Sequence, residues 1–153
     1  MSSTFDELYY KDQLISILRA NLSDPLGTSR LGSFVWDTTD EILSTKYTPK
    51  IQVTYSDSDI ERKSYGQLHL RKKSKVYDII VITGRGVTGS NITYKNEDMI
   101  HYLYGQIENV VLTHCGSMNG AETHMLSSDV PVWNEDKTVC VGVYPVQITW
   151  MKK

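Results

Sequence analysis

A chain of 153 residues, 40% of them hydrophobic, fits the range of roughly 100–200 residues for one domain. It is expected to fold as a single domain over 1–153, with a core that needs neither disulfide nor metal. Sixteen Lys and Arg against 18 Asp and Glu leave a net charge of −2, which excludes a general polyanion binder and a disordered acidic chain; any nucleic-acid contact is local. The start Met1–Glu7 is polar and acidic, and no apolar run approaches the ~18 residues of a membrane span, so a soluble, unexported protein with no membrane contact is expected.

Thr4 followed by Glu7 forms a capping box, and Leu8, Ile15, Leu18 and Leu22 fall on one stripe, which predicts an amphipathic helix. Asp24-Pro25 and Gly27 stop it near Leu22. Ser23 to Ser33 reads as a long polar loop leading to the short apolar cluster Phe34-Val35-Trp36. Ile51, Val53 and Tyr55 alternate with Gln52 and Thr54, the pattern of a strand with one buried face. After the turn Ser56-Asp57-Ser58-Asp59, a second strand is predicted over Tyr65–Arg71, with Lys72-Lys73-Ser74 turning the chain. Val76–Thr83 is apolar on both faces apart from Asp78, as a central strand would be.

Gly84 to Ser90 is a glycine-rich connection, and Asn96-Glu97-Asp98 opens a second helix with an N-cap and an acidic first turn. Ile100, Leu103, Ile107, Val110 and His114 recur at helical spacing, and Gly116 supplies a stop. Val130–Trp133, a turn at Asn134–Lys137 and a last strand from Thr138 to Trp150 complete the chain. Apolar parity along that strand flips at Tyr144-Pro145, which predicts a β-bulge or an edge position. The fold class is α+β: two layers, a mostly antiparallel sheet with both helices packed on one face, in the order α-β-β-β-α-β-β.

Chemical signals are weak. Gly84-Arg85-Gly86-Val87-Thr88-Gly89 matches the dinucleotide pattern G-x-G-x-x-G, but β-prone Ser90–Tyr94 follows it where a helix should begin, so it reads as a loop. Asp57, Asp59, Glu61 and Lys63 crowd a turn. On a strand, Asp59, Glu61 and Lys63 would share a face and could hold Mg²⁺ as in a small metal-dependent nuclease, whereas Asp and Ser favour a solvated turn. His114, Cys115 and His124 lack the paired spacing of a zinc site, and His114 reads as a core histidine at the helix end. Cys115 at a helix C-terminus is poorly placed for a nucleophile, and Cys115 and Cys140 read as two buried thiols in a reducing compartment. No G-x-S-x-G elbow occurs. Asn21 and Asn91 head sequons that, without a signal peptide, mark only surface loops. No catalytic residue, metal or cofactor is assigned. Arg71, Lys72, Lys73 and Lys75 place four cations in five residues at an expected hairpin tip, either a solvated turn or a finger for an acidic partner or DNA.

The N-terminal helix after a short polar start, the charge-rich hairpin, the strand Lys75–Ile82, the helix Glu97–His114 and the final strand ending Val146-Gln147-Ile148-Thr149-Trp150 together resemble the tail terminator (tail completion) proteins of long-tailed viruses. The resemblance covers most of the chain and rests on element order and length. It implies a two-layer protomer without catalytic residues that forms a homohexameric ring in the neck of the virion. Its implied partners are the tail tube protein and the head–tail connector; a transient DNA contact is expected from the basic run Arg71–Lys75 alone. The Ser23–Ser33 loop and the stretch Thr38–Lys46 depart from the simplest members, and another ring-forming neck or tube-related protein fits the same arrangement. The competing classes are the nuclease built on Asp59, Glu61 and Lys63 and a monomeric binding module.

Overall fold

The computed structural model describes residues 5–25, 34–37, 49–56, 71–84, 97–114 and 121–152. In chain order the elements are α1 (Asp6–Asn21), β1 (Val35–Asp37), β2 (Lys50–Tyr55), β3 (Arg71–Gly84), α2 (Glu97–His114), β4 (Glu122–Met125), β5 (Val132–Trp133) and β6 (Val139–Lys152). The fold is α+β. Six strands form one sheet in the order β1-β2-β3-β6-β4, with β5 also pairing β6. Among the described residues only the β1–β2 pair is parallel; the others are antiparallel.

The β-branched run Val76–Thr83 lies within β3, between β2 and β6, as its two-faced apolar pattern predicts. Its register fixes which residues share the helix-bearing face: Ile51, Val53 and Tyr55 of β2; Tyr77, Ile79 and Val81 of β3; Gly142, Tyr144, Val146, Ile148 and Trp150 of β6. Onto that face α1 buries Tyr10, Leu14, Ile15 and Leu18, and α2 buries Met99, Ile100, Leu103, Tyr104, Ile107, Val110 and Val111. The two helices also touch each other, α1 lying over β1 and β2 and α2 over β3, β6 and β4. The opposite face is not simply open. Lys50, Gln52, Val76 and Ile82 lie on it and are buried within the chain.

Several sequence readings are corrected. The N-cap of α1 is Phe5, in extended conformation and without a side-chain cap; Thr4 of the expected capping box lies outside the described residues. The buried stripe is centred on Leu14 and Leu18, while Leu8 and Leu22 are only half-buried. Lys72, Lys73 and Ser74 do not turn the chain but are the first residues of β3, so the basic run is no hairpin tip. The strand predicted over Tyr65–Arg71 lies outside the described residues except for Arg71. β1 and β4 are additional to the expected strands, so that among the described residues three strands, not two, follow α2.

No bulge interrupts β6. Its register with β3 is unbroken from Val139↔Gly84 to Lys152↔Arg71, because the inward positions are Cys140, Gly142 and Tyr144, and Val141 and Val143 face outward. Pro145 is accommodated differently: it lies level with the gap between β5, which pairs at Cys140 and Val141, and β4, which starts pairing at Val146. Leu126 still donates to the Pro145 carbonyl at 3.0 Å, and the missing N–H falls where no regular ladder requires it. The predicted turn at Asn134–Lys137 is present: Lys137 adopts φ 52°, and Asn134 Oδ1 accepts from the Thr138 and Val139 amides at 2.8 and 3.1 Å.

Candidate functional site

The concentrated charge of the sequence lies where β3 and β6 run on together. β2 pairs β3 only from Tyr77 to Ile82, whereas β6 pairs all of Arg71–Gly84. The end of this ribbon sets Arg71 opposite Lys152, Lys72 opposite Met151, Lys73 opposite Trp150 and Lys75 opposite Ile148. Lys152 is thereby added to the four cations of the run. The sequence placed it some eighty positions away, and only the pairing of β3 with β6 reveals it. No acidic residue occurs in Arg71–Lys75 or Ile148–Lys152. Lys73 and Lys75 are half-buried, and among the described residues neither has a carboxylate within ion-pair distance.

Beneath the ribbon end, α1 anchors an aromatic cluster. Trp150 packs against Tyr10 with ring centroids 4.7 Å apart and donates its indole N–H to Asp6 at 3.3 Å. The Tyr77 hydroxyl donates to the Glu7 carbonyl at 2.6 Å; burial pushes its pKa up, with Tyr55 and Glu7 adding to the effect. Tyr55 stacks obliquely on Tyr77 at 5.8 Å and carries two ammonium groups near its ring, Lys11 at 4.7 Å and Lys75 at 5.3 Å. Its hydroxyl is buried and has no hydrogen-bond partner among the described residues. Burial raises the Tyr55 pKa against the opposing influence of Lys11. Lys11 is already committed to Asp37 at 2.8 Å. The cluster therefore holds the ribbon on α1, with half-buried Lys73 and Lys75 on the same face of the sheet as Trp150 and Tyr77.

Other residues singled out in the sequence do not converge. His114 is exposed at the end of α2, so it is not a core histidine. His124 is exposed on the edge strand β4 with Glu122 at 3.7 Å, and Cys115 lies outside the described residues. Cys140 is buried, with its thiol pKa raised by burial and by Glu97. Asp57, Asp59, Glu61 and Lys63 lie outside the described residues, as does the glycine-rich connection beyond Gly84. Among the described residues, no group of three or more His, Cys, Asp or Glu is placed to hold a metal ion, and no helix is long and apolar enough to cross a membrane.

No protein-family model matches the chain, and no curated protein matches it.

Proposed function

We propose that the protein is a structural subunit of a viral tail: a tail terminator that caps the finished tube and joins it to the head connector as a ring of identical copies, six in the reading the resemblance implies. The observation that carries the reading is the shape of the protomer's edges. Both helices cover one face of the sheet, and the sheet ends on one side at the parallel strand β1 and on the other at the antiparallel strand β4. Among the described residues neither edge pairs a further strand. Two dissimilar edges on one protomer suit a head-to-tail contact, which closes into a ring when the rotation between copies allows it. The tail tube and connector would then meet the two rims of the ring. The site of function is an assembly surface, and no residue is given a catalytic role.

Size-exclusion chromatography with light scattering, followed by negative-stain electron microscopy alone and with isolated tail tubes, tests the proposal. Closed rings, or caps seated on tube ends, support it. A protein that stays monomeric over the accessible concentration range and leaves tube ends bare overturns it.

A further inference from the structure

We propose that the Arg71–Lys152 end of the β3–β6 ribbon is a sequence-independent contact for the phosphate backbone of duplex DNA. The register brings five cations, Arg71, Lys72, Lys73, Lys75 and Lys152, into ten paired residues that hold no acid. The chain as a whole is slightly acidic, so the ribbon end is a local positive feature on a molecule that otherwise repels polyanions. Three acids stand beside it, Asp6 and Glu7 at the start of α1 and Glu122, which β4 sets opposite Thr149, and the five cations exceed them by two. Asp6 takes the Trp150 indole N–H and Glu7 offers its backbone carbonyl to Tyr77, contacts with neutral partners that offset neither carboxylate.

The geometry favours phosphate over the alternatives. Alternate residues of a strand stand about 6.7 Å apart and share a face, so Lys73 and Lys75 are far enough apart to meet separate phosphates of one DNA strand. Only Arg71–Lys73 and Trp150–Lys152 form a two-stranded end, since β4 flanks β6 through Thr149, and such an end is narrow enough for the major groove of the duplex. A stacking platform for single strands needs exposed aromatic rings. The only aromatic residue of the ribbon end, Trp150, is 4% exposed and packed on Tyr10. A protein interface needs a buried apolar centre, and Met151 is the one exposed large apolar side chain there among the described residues. The proposal does not rest on ring formation, because one copy carries the whole ribbon.

The test is fluorescence anisotropy of a short labelled duplex of mixed sequence, titrated with the intact protein over a salt series, with the oligomeric state measured in the same buffers. Four phosphate contacts predict a log–log salt slope of about −3.6, a loss of roughly a hundredfold in affinity between about 50 and 200 mM salt. The quadruple variant Arg71→Ser, Lys72→Ser, Lys73→Ser, Lys75→Ser should bind roughly tenfold or more weakly and lose most of that slope. The single variant Lys73→Ser should remove about one unit of it, which keeps the test valid if the quadruple variant misfolds. Lys137→Asn, a cation removed from the distant turn before β6, should change nothing. Absence of binding, variants that bind like the wild type, or equal competition by polyglutamate would each overturn the assignment. A monomer that binds DNA with the stated slope upholds it even if the ring reading fails, and a ring without DNA affinity does the reverse.

Discussion

Lys11 joins α1 to the edge strand β1 through a 2.8 Å ion pair with Asp37, made across 26 positions of sequence. The lysine side chain is only 4% exposed and the aspartate 25%, so the charge is carried into the core boundary by its partner and by the Tyr55 ring 4.7 Å away. β1 is three residues long and pairs β2 on one side. Its position therefore depends on α1, through Asp37 and through the Arg19 Nε donation to the Val35 carbonyl at 3.0 Å. Lys11→Met should cost about 2–4 kcal/mol, toward the low end because Asp37 keeps some solvent. Asp37→Ala strands the more deeply buried partner and should cost more. Amide exchange at Val35–Asp37 should accelerate well before that of β3; equal melting temperatures for the variants and wild type would contradict the account.

Tyr55 gives a prediction of opposite sign. A buried hydroxyl without a partner costs about 1–3 kcal/mol relative to a satisfied one, while the ring itself packs on Tyr77 and faces the Lys11 and Lys75 ammonium groups. Tyr55→Phe keeps the ring and removes the orphan oxygen. It should be neutral or stabilise the fold by up to about 1 kcal/mol, read by denaturant midpoint. A loss of stability would mean that the hydroxyl is bonded in solution.

Gly142 is required by close packing, not by its backbone angles. A Cβ there would overlap the Tyr104 hydroxyl and approach Ile100 Cγ2 to 2.6 Å. Tyr104 cannot simply swing aside, since its hydroxyl donates to the Asp129 carbonyl at 2.9 Å and its ring stands edge-on to Tyr144 at 5.4 Å. Gly142→Ala should therefore cost about 1–3 kcal/mol by overpacking. Gly105, on α2 with nothing within 4 Å of an added Cβ, is the matched control: Gly105→Ala should gain up to about 1 kcal/mol of helix propensity.

The same glycine explains what could and could not be read from the sequence. β3 and α2 were legible because their apolar patterns are long and regular. The last strand was legible as a strand, but its parity was misread, because a pattern of Val141 and Val143 hides an inward glycine between them. Ile79 and Ile80 look alike in sequence, yet only Ile79 is fully buried on the helix-bearing face, while Ile80 is half-buried on the other. β1 and β4 are three and four residues long and acquire strand structure from their neighbours more than from their own composition. In the candidate site, the four cations of the run were visible as charge, but their place was not. Lys-rich tripeptides read as turns until a distant strand, Trp150–Lys152, pairs with them.

The tyrosines set the alkaline limit of the fold. Tyr104 is held neutral by burial first and by the Asp129 carboxylate second, against a smaller opposing bond at Val143, and its pKa is pushed up to about 12. Tyr10, Tyr55, Tyr77 and Tyr144 shift in the same direction, each chiefly by burial. A phenol that keeps its proton in the folded state but loses it near pH 10 in the unfolded chain contributes stability that is complete below pH 10. Above that, the unfolded state binds fewer protons than the native one, so stability falls as pH rises, and for Tyr104 the fall runs from about 10 to about 12. The melting temperature of the wild type should therefore drop steeply across this window. Tyr104→Phe should lose about 1 kcal/mol at pH 8 with its bond to Asp129, yet decline less steeply above pH 10, so the two curves converge. Parallel curves would show that Tyr104 ionises in the native protein as readily as in the unfolded chain, and the assigned cause of its shift would then be wrong.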